Sequence, residues 1–202
     1  MSNAISSNLA NLLADMGVFT LEQSTLAGVS QSTVSRLTKS GVIQKLGSGI
    51  YKHAEAKVDI PNIMFTIACN RFGPESVISG RSALHFYGLM ERQPDKIWVV
   101  VPTEVRCTDT RYRLIRTSRK FRIGMVDHGP FRISSPDRAL LESLIFSTKV
   151  GPSIVRNALK IAIKKGIVTL GGLETLAKDM QCNEIFKKNF LPKYLWSMTD
   201  EY

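Results

Sequence analysis

The 202-residue chain lacks most of the features that assign a sequence to a class at once. No apolar run approaches the roughly 18 residues that a membrane-spanning helix needs. No basic segment followed by an apolar stretch opens the chain, so no signal peptide is expected. Ser2-Asn3-Ala4 reads as a cloning remnant and is set aside from the fold. Cysteine is scarce. Cys69, Cys107 and Cys182 are far apart, odd in number and never in a Cys-x-x-Cys pair, the usage expected of reduced thiols in a cytoplasmic protein. His53, His85 and His128 do not cluster with them, and a zinc site needs closely spaced ligands.

Enzyme signatures are missing too. There is no P-loop, and no Gly-x-Gly-x-x-Gly follows a strand. Gly47-Ser48 could open a nucleotidyltransferase motif, but no Asp-x-Asp pair follows to hold metal. Glu55-Ala56-Lys57 has the spacing of a nuclease motif but lies in a linker, and Asp137 has no such partner nearby. His85 sits between Leu84 and Phe86 and is expected to pack; His128, between Asp127 and Gly129, belongs in a loop. These absences point away from catalysis, and no metal or cofactor is expected.

Acidic residues are also in short supply: 17 against 27 lysines and arginines, for a net charge of +10 and a pI of about 9.7. An excess of this kind suits a nucleic-acid partner. Its distribution is uneven, with a net of +2 over residues 1–57 and +8 over 58–202.

The pattern along the chain is α+β in two parts, with a boundary expected at 56/57. Leu9, Leu12, Leu13 and Met16 recur at helical spacing, giving a helix over 5–16 that Gly17 ends. A short extended piece follows at 18–19. Thr20 caps a second helix over 21–27, and Ser30 caps a third over 31–40 that Gly41 terminates. Residues 42–46 and 50–52 read as strands around Gly47-Ser48-Gly49. This is the order of a winged helix-turn-helix. After a short polar linker, the pattern predicts helices over 61–72 and 80–87 and a buried strand over 96–101. Further strands fall at 111–117, 124–126 and 131–134, and the rest is a helical tail opened by Ser135-Pro136-Asp137. The second part is thus expected to be a mixed α+β domain.

On a helical wheel of 31–40, Val34, Leu37 and Gly41 fall on one side, while Ser32, Ser35, Arg36 and Lys39 fall on the other. The second face is hydroxylated and basic with no acidic residue. Short hydroxyls can approach base edges and long cations can reach phosphates, and Gln31 can pair with an adenine edge. The wing would add a second contact through Ser48, flanked by Lys45 and Lys52. In the second part, Arg106, Arg111, Arg113, Arg116, Arg119, Lys120 and Arg122 accumulate against a single Asp109, with Tyr112 and Phe121 interleaved. Such a tract can bind phosphates, although charge on a sheet edge also discourages aggregation.

Four segments in order carry a resemblance: "SGVIQKLGSGIYK" (40–52), "ISGRSALHFYGL" (78–89), "IWVVVP" (97–102) and "ISSPDRALLESL" (133–144). Together they resemble the AbiEi family of antitoxins from bacterial abortive-infection toxin–antitoxin systems, over about residues 5–200. One departure is that related sequences often carry His where this one has Gly80 or Arg81. The resemblance implies a winged helix that represses its own operon at inverted repeats. It also implies a C-terminal domain associated with countering a nucleotidyltransferase toxin, often without a stable complex. Transferred to this chain, Gln31, Ser32, Ser35, Arg36 and Lys39 would read the operator, and Ser48 and Lys52 would belong to the wing. The 111–122 tract would widen the contact or serve neutralisation. The protein would be a monomer in solution or a dimer on DNA. The competing expectation is a protein-interaction module that neutralises a partner by contact without binding DNA. A more distant one is RNA binding, since a basic tract does not distinguish backbones.

Overall fold

The computed structural model describes residues 17–47, 49–56, 62–118 and 123–194. The helix expected over 5–16, the wing-tip Ser48, linker residues 57–59 with Pro61, and Arg119, Lys120 and Arg122 lie outside the described residues. The chain divides into two compact units, Met1–Pro74 and Glu75–Tyr202.

In the first unit, β1 (Val18–Thr20) leads directly into α1 (Leu21–Leu26). Thr20 caps α1 with a reciprocal box: its Oγ1 accepts from the Gln23 amide, and the Gln23 side chain accepts from the Thr20 amide. A tight turn then reaches α2 (Gln31–Lys39), where the Ser30 hydroxyl accepts from the Thr33 amide at 3.3 Å. Gly41, at φ +77°, stops α2 in a backbone conformation that a Cβ would oppose. Strands β2 (Ile43–Gly47) and β3 (Ile50–His53) form the wing, and β1 adds to its inner edge in the order β1-β3-β2.

This small sheet is apolar on both faces. On one, Phe19 and Ile43 join Val29, Val34 and Leu37 of the helical part, with Tyr51 packed against them. On the other, Val18 and Ile50 meet Ile67, with Leu46, Ile63 and Met64 around them. Ile63, Met64 and Ile67 belong to α3 (Ile63–Phe72). The boundary expected at 56/57 therefore falls in front of a helix whose contacts attach it to the N-terminal sheet; the compact unit runs on to Pro74.

The second unit holds a five-stranded mixed sheet in the order β6-β5-β4-β8-β7. Its strands are β4 (Val77–Ile78), β5 (Ile97–Val101), β6 (Tyr112–Arg116), β7 (Met125–Asp127) and β8 (Arg132–Ser134). The two-residue β4 joins the halves, pairing antiparallel with β5 and parallel with β8. Helix α4 (Gly80–Phe86) follows β4. After the sheet come α5 (Pro136–Ile145), α6 (Ser147–Val150), α7 (Pro152–Lys164), α8 (Leu170–Asp179) and α9 (Asn183–Tyr194). α5 is the central helix and touches α4, α7, α8 and α9. Ser135 caps it and Pro136 stands in its first turn, as the sequence predicts. The α+β reading holds in both units.

Three of the four resemblance-bearing segments meet inside this second unit. The Arg138 guanidinium, fully buried, donates through Nε to Glu142 Oε1 at 3.0 Å and through Nη1 to the Ile123 carbonyl at 2.8 Å. The Ser79 hydroxyl donates to Glu142 Oε2 and leaves the α4 N-terminus without a side-chain cap. Ser82 accepts from the Trp98 amide at 2.9 Å. Gly80, at φ +52°, faces Trp98 so closely that a Cβ would lie 2.7 Å from Cε3 of the indole. No side chain fits there unless Trp98 moves.

Candidate nucleic-acid interface

Helix α2 is held by Val34 and Leu37, both buried against the first-unit core. That anchoring turns Gln31, Ser32, Ser35, Arg36 and Lys39 outward, and all five are exposed. Thr33 and Thr38, on the flanks between the two faces, are half-buried. Among the described residues, Arg36, Lys39 and Lys45 make no ion pair, so their charge is available to an incoming anion. Ser32 is tied to its neighbours: its hydroxyl lies 2.9 Å from Ser30 Oγ, which in turn lies 2.9 Å from Thr33 Oγ1.

Between α2 and the wing strands lies a cleft of about 490 Å³ lined by Gln31, Ser35, Thr38, Lys39, Lys45 and Tyr51. Gln31, Ser35, Thr38 and Lys39 repeat at helical spacing and form the flank of α2 nearest the wing. Lys45 and Tyr51 are direct partners across β2 and β3. The Tyr51 ring stacks on Phe19 with centroids 6.0 Å apart and an interplanar angle of 22°. Thr38 and Tyr51 carry no charge and escape a search of the sequence for basic residues. The strand spacing could have found Tyr51, since it sits opposite Lys45.

The two wing lysines part company. Alternation along β3 puts Tyr51 and His53 on the α2 side of the sheet, and Ile50 and Lys52 on the side covered by α3. Lys45 is exposed beside the α2 cleft, whereas Lys52 is half-buried and points the other way.

The basic tract of the second unit lies on β6, at one edge of the five-stranded sheet. Its described arginines are exposed but engaged. Arg111 grips Asp109 with Nη2–Oδ2 at 2.7 Å and Nε–Oδ1 at 3.0 Å, and that carboxylate raises the guanidinium's already high pKa. Arg106 donates to the Thr103 carbonyl, and Arg116 Nε donates to the Val105 carbonyl at 2.8 Å; together they brace the loop before β6. Arg113 lies over Trp98 at 5.9 Å, with Arg81 over the same indole at 5.7 Å. Arg113 and Arg116 point to opposite faces of the strand. The tract thus presents several arginines with partly committed donors.

The histidines are accounted for within the fold. His85 Nδ1 lies 3.0 Å from the Met90 carbonyl, His53 Nδ1 accepts from the Glu55 amide at 3.2 Å, and His128 stacks on Phe131 at 4.9 Å. Among the described residues no three His, Cys, Asp or Glu side chains gather where they could hold a metal ion. No described helix is long and apolar enough to cross a membrane.

The first unit has the element order of a winged helix-turn-helix, and comparison with known families agrees. Residues 9–51 match the family model described as a transcriptional regulator, AbiEi antitoxin. Over these residues the chain is similar to the AbiEi antitoxins. The match ends at Tyr51, the wing residue in the cleft. The crystal structure of the RV2827C protein from Mycobacterium tuberculosis is similar in fold, with a TM-score of 0.56 and 18% identity. The likeness covers 90% of this chain and 75% of that one. No curated protein matches the chain.

Proposed function

We propose that the protein is a DNA-binding transcriptional autorepressor and antitoxin of a toxin–antitoxin operon, acting at inverted repeats in its own promoter. The observation that carries this reading is the outward face of α2: Gln31, Ser32, Ser35, Arg36 and Lys39, all exposed, with Arg36 and Lys39 free of ion pairs among the described residues. A helix of this kind can enter a major groove about 12 Å wide, where hydroxyls and the Gln31 amide meet base edges and the cations meet phosphates. Lys45 adds charge from the wing. Arg106, Arg111, Arg113 and Arg116 contribute backbone contacts as a secondary surface, together with Arg119, Lys120 and Arg122 of the same tract. The protein acts without catalysis, in the cytoplasm, against a nucleotidyltransferase toxin whose activity it counters with or without a stable complex.

A nuclease-protection experiment on the DNA upstream of the gene tests this. Protection of two symmetric half-sites is expected, with half-site centres about one helical turn or a multiple of it apart. Unprotected DNA, combined with capture of a partner protein that survives Arg36→Ala, would establish the protein-interaction module in its place.

A further inference from the structure

The cleft between α2 and the wing shares Gln31, Ser35 and Lys39 with the outward face of α2 and adds Thr38, Lys45 and Tyr51 to them. It lies on the α2 flank, offset from the Ser32–Arg36 side, and it draws two of its six residues from the sheet. A helix with its side chains is about 10–12 Å across, close to the width of the major groove, so a groove-bound helix has a sugar-phosphate strand along each flank. On the wing side of α2, that strand would pass through this cleft.

The chemistry in the cleft is that of an anion seat. No carboxylate lines it, and its charged groups are Lys39 and Lys45. The Thr38 hydroxyl already donates to the Val34 carbonyl at 2.8 Å and is committed to its own helix. Tyr51 is held from below by its stack on Phe19 and from the side by its pairing with Lys45. Its hydroxyl has no hydrogen-bond partner among the described residues. A phosphate oxygen only accepts hydrogen bonds, whereas a base edge usually needs a matched donor and acceptor pattern. With Gln31 and Ser35 serving base edges as proposed above, the donors that remain, Lys39, Lys45 and the Tyr51 hydroxyl, suit the first.

We propose that this cleft seats one backbone phosphate of duplex DNA, with the Tyr51 hydroxyl donating to a phosphate oxygen and Lys39 and Lys45 balancing its charge. The seat rests on the DNA-binding reading above and adds an anchor that fixes how deep α2 enters the groove without reading sequence.

Fluorescence anisotropy of the full chain tests it, using a labelled duplex from the DNA upstream of the gene and a scrambled duplex of the same composition. Tyr51→Phe removes one oxygen and keeps the ring on Phe19; an unchanged thermal melt shows that the fold is intact. It should weaken both duplexes equally, by about fivefold, with the salt slope unchanged because no charge is lost. Lys45→Ala should also weaken both, and it should make the slope of log affinity against log salt shallower by about one. Wild-type binding to both duplexes with Tyr51→Phe unaffected overturns the seat while leaving the DNA reading in place. A loss confined to the upstream duplex also overturns it, since Tyr51 would then be touching a base. If the wild-type protein binds neither duplex at low salt, the DNA reading fails and the seat falls with it.

Discussion

Removing one partner of the Arg138–Glu142 pair should cost far more than removing both. The guanidinium is fully buried and the carboxylate nearly so, with Nε and Oε1 3.0 Å apart. At an effective dielectric of about 20, two unit charges at that distance attract by about 5–6 kcal/mol, and the cost of taking them out of water offsets much of that. Arg138→Met leaves a buried carboxylate that, among the described residues, faces the hydroxyls of Ser79 and Ser134. Glu142→Leu leaves a buried guanidinium whose Nη1 still meets the Ile123 carbonyl. Each single change should destabilise the second unit by about 3–5 kcal/mol, a large part of the roughly 5–15 kcal/mol that holds a typical domain. The double variant removes both charges and should cost less than either single one. Urea unfolding followed by tryptophan fluorescence reports on this unit, because Trp98 is buried against Gly80. Single costs below about 1 kcal/mol, or a double cost equal to their sum, would refute the coupling.

Gly80→Ala should cost about 2–4 kcal/mol in the same assay, since it combines a positive φ with a clash against Trp98. Lys45→Ala and Lys52→Ala should separate in DNA titrations: the first weakens binding and the second leaves it nearly unchanged, because the two side chains leave opposite faces of the wing sheet. Burial raises the Tyr87 phenol above its ordinary value of 10.0. The folded state therefore holds that proton more tightly than the unfolded chain does. Stability from this group is fully present below pH 10 and declines as pH rises through the folded value, which an ultraviolet titration paired with alkaline unfolding will register.

How much of this was legible in the sequence depended on how local the signal was. Helix α2 was readable almost to the residue, because Ser30, Gly41 and the Val34/Leu37 spacing are all contained within it. The α5 start was readable for the same reason. Strand β4 was invisible: two residues, Val77 and Ile78, show no period, yet they join the halves of the larger sheet. α3 was expected as a helix, but its attachment to the first unit depends on Ile63, Met64 and Ile67 finding the back of a wing sheet that no local pattern reveals. Lys45 and Lys52 looked equivalent on either side of a glycine turn. Strand alternation places them on opposite faces. The cleft itself was missed because Tyr51 and Thr38 become neighbours only once register and helix packing are fixed. The cations of residues 106–116 were found by composition, but their commitments to Asp109, Trp98 and backbone carbonyls are tertiary. The ionic partner of Arg138 lies one turn along its own helix, while Ser79, which completes the site, is 63 residues from Glu142.

A competition experiment at fixed salt bears most directly on the central claim, that the α2 face reads a sequence. Labelled upstream duplex bound to the full-length protein is challenged with unlabelled copies of itself and with scrambled duplex. Displacement by the upstream copy at concentrations at least about a thousandfold lower than by the scrambled one is the expected result, with most of that ratio lost in Gln31→Ala/Ser35→Ala. Equal displacement by the two, or a ratio that the double substitution leaves untouched, would contradict it.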